Sequence, residues 1–207
     1  MTSRDDAKQL TRQRIVGAAR DCLRDMGAGQ VSLREVARRV GVAPSAVYRH
    51  FDSRDALLTE LLVLAYRDLA GRLHREPRSG GSAWTRRADV LRAWARDSPQ
   101  DFQLLYGTPV VGYAAPVDTV GPAADVAASF VELVTDPPAV PEALARQLEE
   151  PAAGMGCSAA ALAWTLASLS HLVGMLSLEL DGHLVGTTEP ADELWHWVVA
   201  NQQRCAS

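Results

Sequence analysis

Residues 31–51 read VSLREVARRVGVAPSAVYRHF. Ser32 followed three positions later by Glu35 has the form of a capping box, in which the hydroxyl takes an orphan amide at a helix start and the carboxylate reaches back. A short helix is therefore predicted from about Leu33. Its apolar residues Leu33, Val36, Ala37 and Val40 share one face at helical spacing, and Arg34, Glu35, Arg38 and Arg39 share the other. Gly41 suits the left-handed conformation that ends a helix, and Pro44 suits the first turn of the next, where its missing N–H costs nothing. Two short helices joined by a tight glycine turn form a helix-turn-helix.

The second helix, about Pro44 to His50, is expected to pack through Val47 and Phe51. That leaves Pro44, Ser45, Ala46, Tyr48, Arg49 and His50 outward. Small residues let a helix end approach base edges, Tyr and His can donate to phosphate oxygens, and Arg can fork onto guanine. The plain alternative is a solvated helix in an ordinary bundle.

Gly41-Val42, Val47-Tyr48-Arg49-His50-Phe51 and Ser53-Arg54-Asp55-Ala56-Leu57-Leu58 together resemble the N-terminal domain of the TetR (tetracycline-repressor) family of transcriptional regulators. The resemblance implies base or groove contacts from Arg34, Pro44, Ser45, Ala46 and Arg49. It implies phosphate contacts from Ser32, Tyr48, His50 and Arg54. Ala43 stands where the family often has a capping Ser or Thr, so the recognition helix is expected to start less firmly.

The 207 residues carry a net charge of −4, unevenly spread. Residues 1–60 hold eleven Lys and Arg against eight Asp and Glu, while residues 61–207 hold ten against seventeen. A basic head on an acidic body places the attractive field where the motif lies. Cys22, Cys157 and Cys205 are odd in number and in no CxxC spacing, so neither a disulfide framework nor a zinc site is suggested. No apolar run is expected to reach the roughly 18–20 residues that span a bilayer, and the N-terminus lacks a signal-peptide core, which points to a cytoplasmic protein.

Around the motif, an amphipathic first helix is predicted from Lys8 to Met26 behind residues 1–7, read either as a polar arm that offers Arg4, with Lys8 just after it, to phosphates or as a solvated tail. Ser53 opens a fourth helix to about Arg75; at 1.5 Å per residue it is roughly 35 Å long and links a head of residues 1–52 to a body of residues 53–207. Residues 77–82 read as a loop, followed by helices at 83–97 and from Pro99 to Tyr106. Residues 107–122 combine Gly and Pro with Val110, Val111, Tyr113 and Val117, a pattern for an irregular apolar wall, a lid or a loop pinned on the core. Further helices are predicted at 123–135, 141–150, 158–180 and 191–204. The expected architecture is all-α.

Leu162, Leu166, Leu169, Val173, Leu176 and Leu180 alternate steps of four and three, the spacing of a helix seam, beside a stripe of small residues that includes Gly174. With Leu194 and Val198 they are the candidate homodimer interface; the alternative is that both helices close the monomer core. The C-terminal half, through Ser98-Pro99, Tyr106 to Pro109, Gly112-Tyr113, Gly174 and Ser177 to Leu180, resembles the WHG-type ligand-binding domain of some TetR-family regulators. The Trp and His of that name fall on Leu169 and Val173, with only the Gly kept.

Trp94, Phe102, Tyr106, Tyr113, Phe130, Trp164, His171 and Met175 are the candidate effector pocket, with a largely apolar ligand expected. His171, Met175 and Glu179 share a helix stripe with His183 beyond, which could be drawn as a metal site, although pocket lining is the simpler reading. No cofactor is expected, and no nucleophile elbow or phosphate loop is present. The resemblances imply a homodimer that binds a palindromic operator in double-stranded DNA and is released by a small-molecule effector. The rival reading is a helical small-molecule-binding protein or a metal-dependent enzyme using the C-terminal pocket.

Overall fold

Ser32 ends an extended segment and accepts a hydrogen bond from the Glu35 amide at 3.2 Å, so the helix begins where the sequence places it. The computed structural model describes residues 4–75 and 82–203. The first residues of the polar arm, the loop at 77–81 and Cys205 lie outside them. Among the described residues the chain is all-α, with ten α-helices and no strand. In order these are α1 (Arg4–Met26), α2 (Leu33–Val40), α3 (Pro44–Tyr48), α4 (Arg54–His74), α5 (Ala83–Asp97), α6 (Pro99–Tyr106), α7 (Val120–Val131), α8 (Glu142–Gly154), α9 (Ala159–Leu180) and α10 (Asp192–Gln202).

The chain packs as two units. One comprises the chain through Ala65 together with Gln100–Thr119; the other comprises Tyr66–Pro99 and the chain from Val120 onward. The packing boundary thus falls inside α4 and differs from the 52/53 division by role. In the first unit, Ile15, Ala19, Cys22 and Leu23 of α1 meet Val36 and Ala37 of α2, Val47 of α3 and Leu57, Leu58 and Leu61 of α4 in one apolar cluster. Burying a side chain such as Val47 or Leu58 contributes about 1.5–3 kcal/mol.

Residues 107–116 are irregular, as expected, but α7 starts at Val120 rather than 123. Val110 and Tyr113 pack on the apolar cluster of the first unit, and the Tyr113 hydroxyl lies 3.0 Å from Thr59 Oγ1. The segment is a loop pinned to the head. α8 continues to Gly154 with Pro151 inside it, four residues beyond the predicted end; the proline forgoes the one bond its amide would have made to the Gln147 carbonyl.

The second unit is built on tryptophans. Trp84 is buried against Phe130 and Trp164, with ring centres 5.2 and 4.7 Å apart. Each buried indole N–H has a partner: Trp84 donates to Gln202, Trp94 to Asp68 and Trp195 to Asp89. α9 is buried through Ala161, Leu162, Thr165, Ser168, Leu172, Met175 and Leu176. Contrary to expectation, α9 is long and apolar enough to cross a membrane, with mean hydropathy 1.5, but it packs against α5, α7, α8 and α10.

Candidate nucleic-acid interface

Gly41 adopts φ +75° and its amide bonds to the Ala37 and Arg38 carbonyls, while the Val42 amide returns to Ala37 at 3.0 Å. This left-handed cap turns the chain sharply into α3. α3 has only five residues, two fewer than predicted, because Arg49 already caps it. Ala43 offers no side-chain cap, as its sequence suggested, and Pro44 occupies the first turn. Val47 and Phe51 are buried, so the helix is fixed from inside.

The outer surface is then determined. Pro44, Ser45, Tyr48 and Arg49 are exposed, with Ala46 and His50 half-buried beside them. On α2, Arg34 is exposed and makes no ion pair among the described residues. These side chains lie on neighbouring turns of one motif, and Ser32 is half-buried at its edge with its hydroxyl engaged in capping.

Two expectations about charge change. Glu35 does not reach back to complete the capping box; its carboxylate takes Arg38 at 2.6 and 2.8 Å and Arg39 at 3.0 Å. Two adjacent guanidiniums outcompete one backbone amide, and Arg39 is held further by Asp25 at 2.6 Å. Arg54, expected at a phosphate, turns inward instead. Its Nε donates to the Val31 carbonyl at 2.8 Å, and its Nη2 to Ala28 and Gly29 at 3.1 Å each, bracing the turn that leads into Ser32.

The arginine hydrogen bonds, Arg38 first and then Arg39, hold the Glu35 carboxyl at about 2, against an ordinary value of 4.5. Because the folded-state value is depressed, the stability this group contributes is present above the ordinary value and is lost as pH falls toward 2. An NMR titration of the Glu35 side chain should show a midpoint near 2. A midpoint near 4.5 would show that the pairs are absent in solution. Partial burial, with Lys8 and Arg12 nearby, lowers the His50 pKa from its ordinary value.

Two arginines of α1 position the motif and were missed from sequence. Arg12 donates to the His50 carbonyl at 3.3 Å and to Glu60 at 2.8 Å, with its guanidinium 4.3 Å from the centre of the Phe51 ring. Arg14 reaches the Val40 carbonyl at the end of α2. Cations at helix C-termini are favourable, and their only sequence signal was placement on the polar side of α1.

The other candidate sites come apart. Phe102, Tyr106 and Tyr113 belong to the first unit, and Trp94, Phe130, Trp164, His171 and Met175 to the second. His171, expected to line the pocket, is exposed, as is Ser170 one residue before it. Met175 faces the core and Glu179 pairs with Arg92 and Arg96, so the His171–Met175–Glu179 stripe brings no ligand set together. Cavities of about 410 and 290 Å³ in the second unit have other linings, around Met155 and Cys157 and around Leu184 and Thr188.

The expected seam also divides. Leu162, Leu176 and Val198 are buried within the unit; Leu169, Val173, Leu180 and Leu194 are half-buried; Leu166 and Gly174 are exposed. α9 is therefore rotated from the expected phase. Its outward face carries Ala167, Ser170 and Gly174, flanked by Leu166 at 43% and Leu178 at 47% exposure, with Trp197 of α10 at 64%.

Comparison with known proteins agrees with this geometry. Residues 15–61 match the model of bacterial regulatory proteins of the tetR family, and residues 84–201 match that of the tetracyclin repressor-like C-terminal domain. An HTH-type transcriptional regulator of Mycobacterium tuberculosis, Rv1816, and one of Mycobacterium bovis, Mb1846, are each 42% identical over 137 residues. That alignment covers 63% of this chain, which spans only 58% of the length of those relatives. The crystal structure of SCO4313 is 34% identical, with a TM-score of 0.81 over 97% of this chain and 98% of that one. The TetR-family regulator PfmR of Thermus thermophilus shares the fold, with a TM-score of 0.59, 17% identity and coverage of 92% of this chain and 97% of that one. The chain, with its helix-turn-helix head and helical C-terminal unit, belongs to the TetR family of bacterial transcriptional regulators.

Proposed function

We propose that this regulator binds a palindromic operator in double-stranded DNA as a homodimer and represses until a small, largely apolar effector releases it. The observation that carries the reading is α3, anchored by buried Val47 and by buried Phe51 just past its end, while Pro44, Ser45, Tyr48 and Arg49 stand exposed. Arg34, Ala46 and Arg49 are then the base or groove contacts with Pro44 and Ser45, and Tyr48, His50 and Ser32 the backbone contacts. Arg54 is reassigned to bracing the turn. Residues 1–52 read the duplex, and 53–207 dimerise and take the effector.

The exposed small-residue face of α9 supports a helix-on-helix contact between two copies, which would set the recognition helices about 34–36 Å apart, one turn of DNA. The effector reading is supported by Thr165, fully buried in the second unit with no partner for its hydroxyl among the described residues; a ligand hydrogen bond would satisfy it. A protein that acts on chromosomal DNA works in the bacterial cytoplasm.

The test is binding to a duplex from its own upstream region, with salt and random competitor DNA titrated. Arg49→Ala should lose about 1–3 kcal/mol of base discrimination while non-specific binding holds. Tyr48→Phe should weaken all duplexes nearly alike. The same profile for both variants would overturn these roles.

A further inference from the structure

We propose that the first unit holds a small-molecule site of its own, selective for an amphipathic carboxylate. A cavity of about 440 Å³ lies beside the α1–α2 turn and α6, with lining from Leu23, Leu104 and Val110 on the apolar side and from Arg54, Gln100 and Thr108 on the polar side. Small-molecule sites span roughly 300–1,000 Å³ and combine an apolar wall with a few placed polar groups. The recess is held in shape because Val110 and Leu104 also pack against the apolar cluster of the head.

Arg54 decides the ligand's charge. Its Nε and Nη2 bond to the neutral carbonyls of Val31, Ala28 and Gly29, and among the described residues no carboxylate pairs with it. A half-buried positive charge with no carboxylate partner therefore stands at the recess, with no bond from Nη1 among the described residues. Such a charge favours an anion over a neutral ligand of the same shape. A carboxylate head for Arg54 and a hydrocarbon body for Leu23, Leu104 and Val110 satisfy both halves. Inorganic anions satisfy one half only.

This site goes beyond the proposed function, and its test reads binding itself, so either idea can fail while the other stands. The full-length protein with labelled methyl groups is titrated with octanoate and, separately, with 1-octanol. Saturable shifts at the Leu23, Leu104 and Val110 methyls are expected, with octanoate tighter by about tenfold or more, as a charge-assisted contact requires. Thr108→Trp, an exposed position on the rim, should abolish the shifts by filling the recess. Arg54→Gln should reduce octanoate to the affinity of 1-octanol. Equal affinities for the two probes, or octanoate binding that survives Thr108→Trp, would overturn the proposal. If Arg54→Gln does not fold for want of its brace, the wild-type comparison and Thr108→Trp still decide.

Discussion

Gly174→Leu is expected to give a folded monomer whose affinity for a two-half-site operator falls by about two to four orders of magnitude. The monomer should tolerate the change: Gly174 is exposed on α9, and a Cβ built there meets nothing within 4 Å. The cost falls on association. Small residues at 167, 170 and 174 permit two helix backbones to approach closely, and a leucine in that stripe forces them apart. Two linked heads owe about 10²–10⁴ of their avidity to simultaneous engagement, and that factor goes with the dimer. Mass from light scattering, circular dichroism and operator titration on one sample separate the effects. An unchanged dimer mass places the interface elsewhere, and lost helicity shows that the glycine serves the fold.

Glu179→Ala should lower unfolding stability by about 3–5 kcal/mol, read from urea denaturation at fixed protein concentration. Arg92 has only 7% of its side chain exposed and Glu179 only 11%. The carboxylate takes both Nε and Nη2 of Arg92, at 3.0 and 2.9 Å, and Arg96 at 3.2 Å. Burial works against the Arg92 charge, but Glu179 and Asp192 outweigh it and raise its pKa. Without Glu179, the buried guanidinium keeps the more exposed Asp192 at 2.9 Å and the Trp195 ring at 5.3 Å. The penalty is thus a buried charge left with less compensation rather than simply a lost attraction. Arg92→Met combined with Glu179→Leu should regain most of the loss, because apolar replacements for a buried pair cost little. A loss below about 1 kcal/mol for Glu179→Ala would mean that water reaches the pair.

What the sequence revealed depended on range. Ser32, Gly41 and Pro44 act on amides within four residues, so α2, its cap and the start of α3 could be read directly. Glu35 had two possible partners in the same turn, and only side-chain geometry decided for Arg38 and Arg39. The docking of Val110 and Tyr113 on the head is a contact across some fifty residues of chain, with no local signature; the aromatic set chosen for one pocket consequently fell into two units. α9 failed for another reason. It is apolar almost all round, so counting leucines could not phase it: Thr165 and Ser168 face the core while Leu166 and Leu178 face outward. Periodicity locates a buried face only when polar residues mark the other side.

α3 joins the core through Val47 and, just past its end, Phe51, while the side chains at 44, 45, 48 and 49 touch little of the protein that carries them. Exchanges at those four positions should each shift stability by less than about 0.5 kcal/mol, the usual range for surface sites. With the contact roles proposed above, selection can rewrite what the head recognises without passing through misfolded ancestors. A duplicated copy of this regulator is free to acquire a new target one surface residue at a time, and the same freedom lets an engineer graft a foreign reading surface onto this head while leaving Val47 and Phe51 in place.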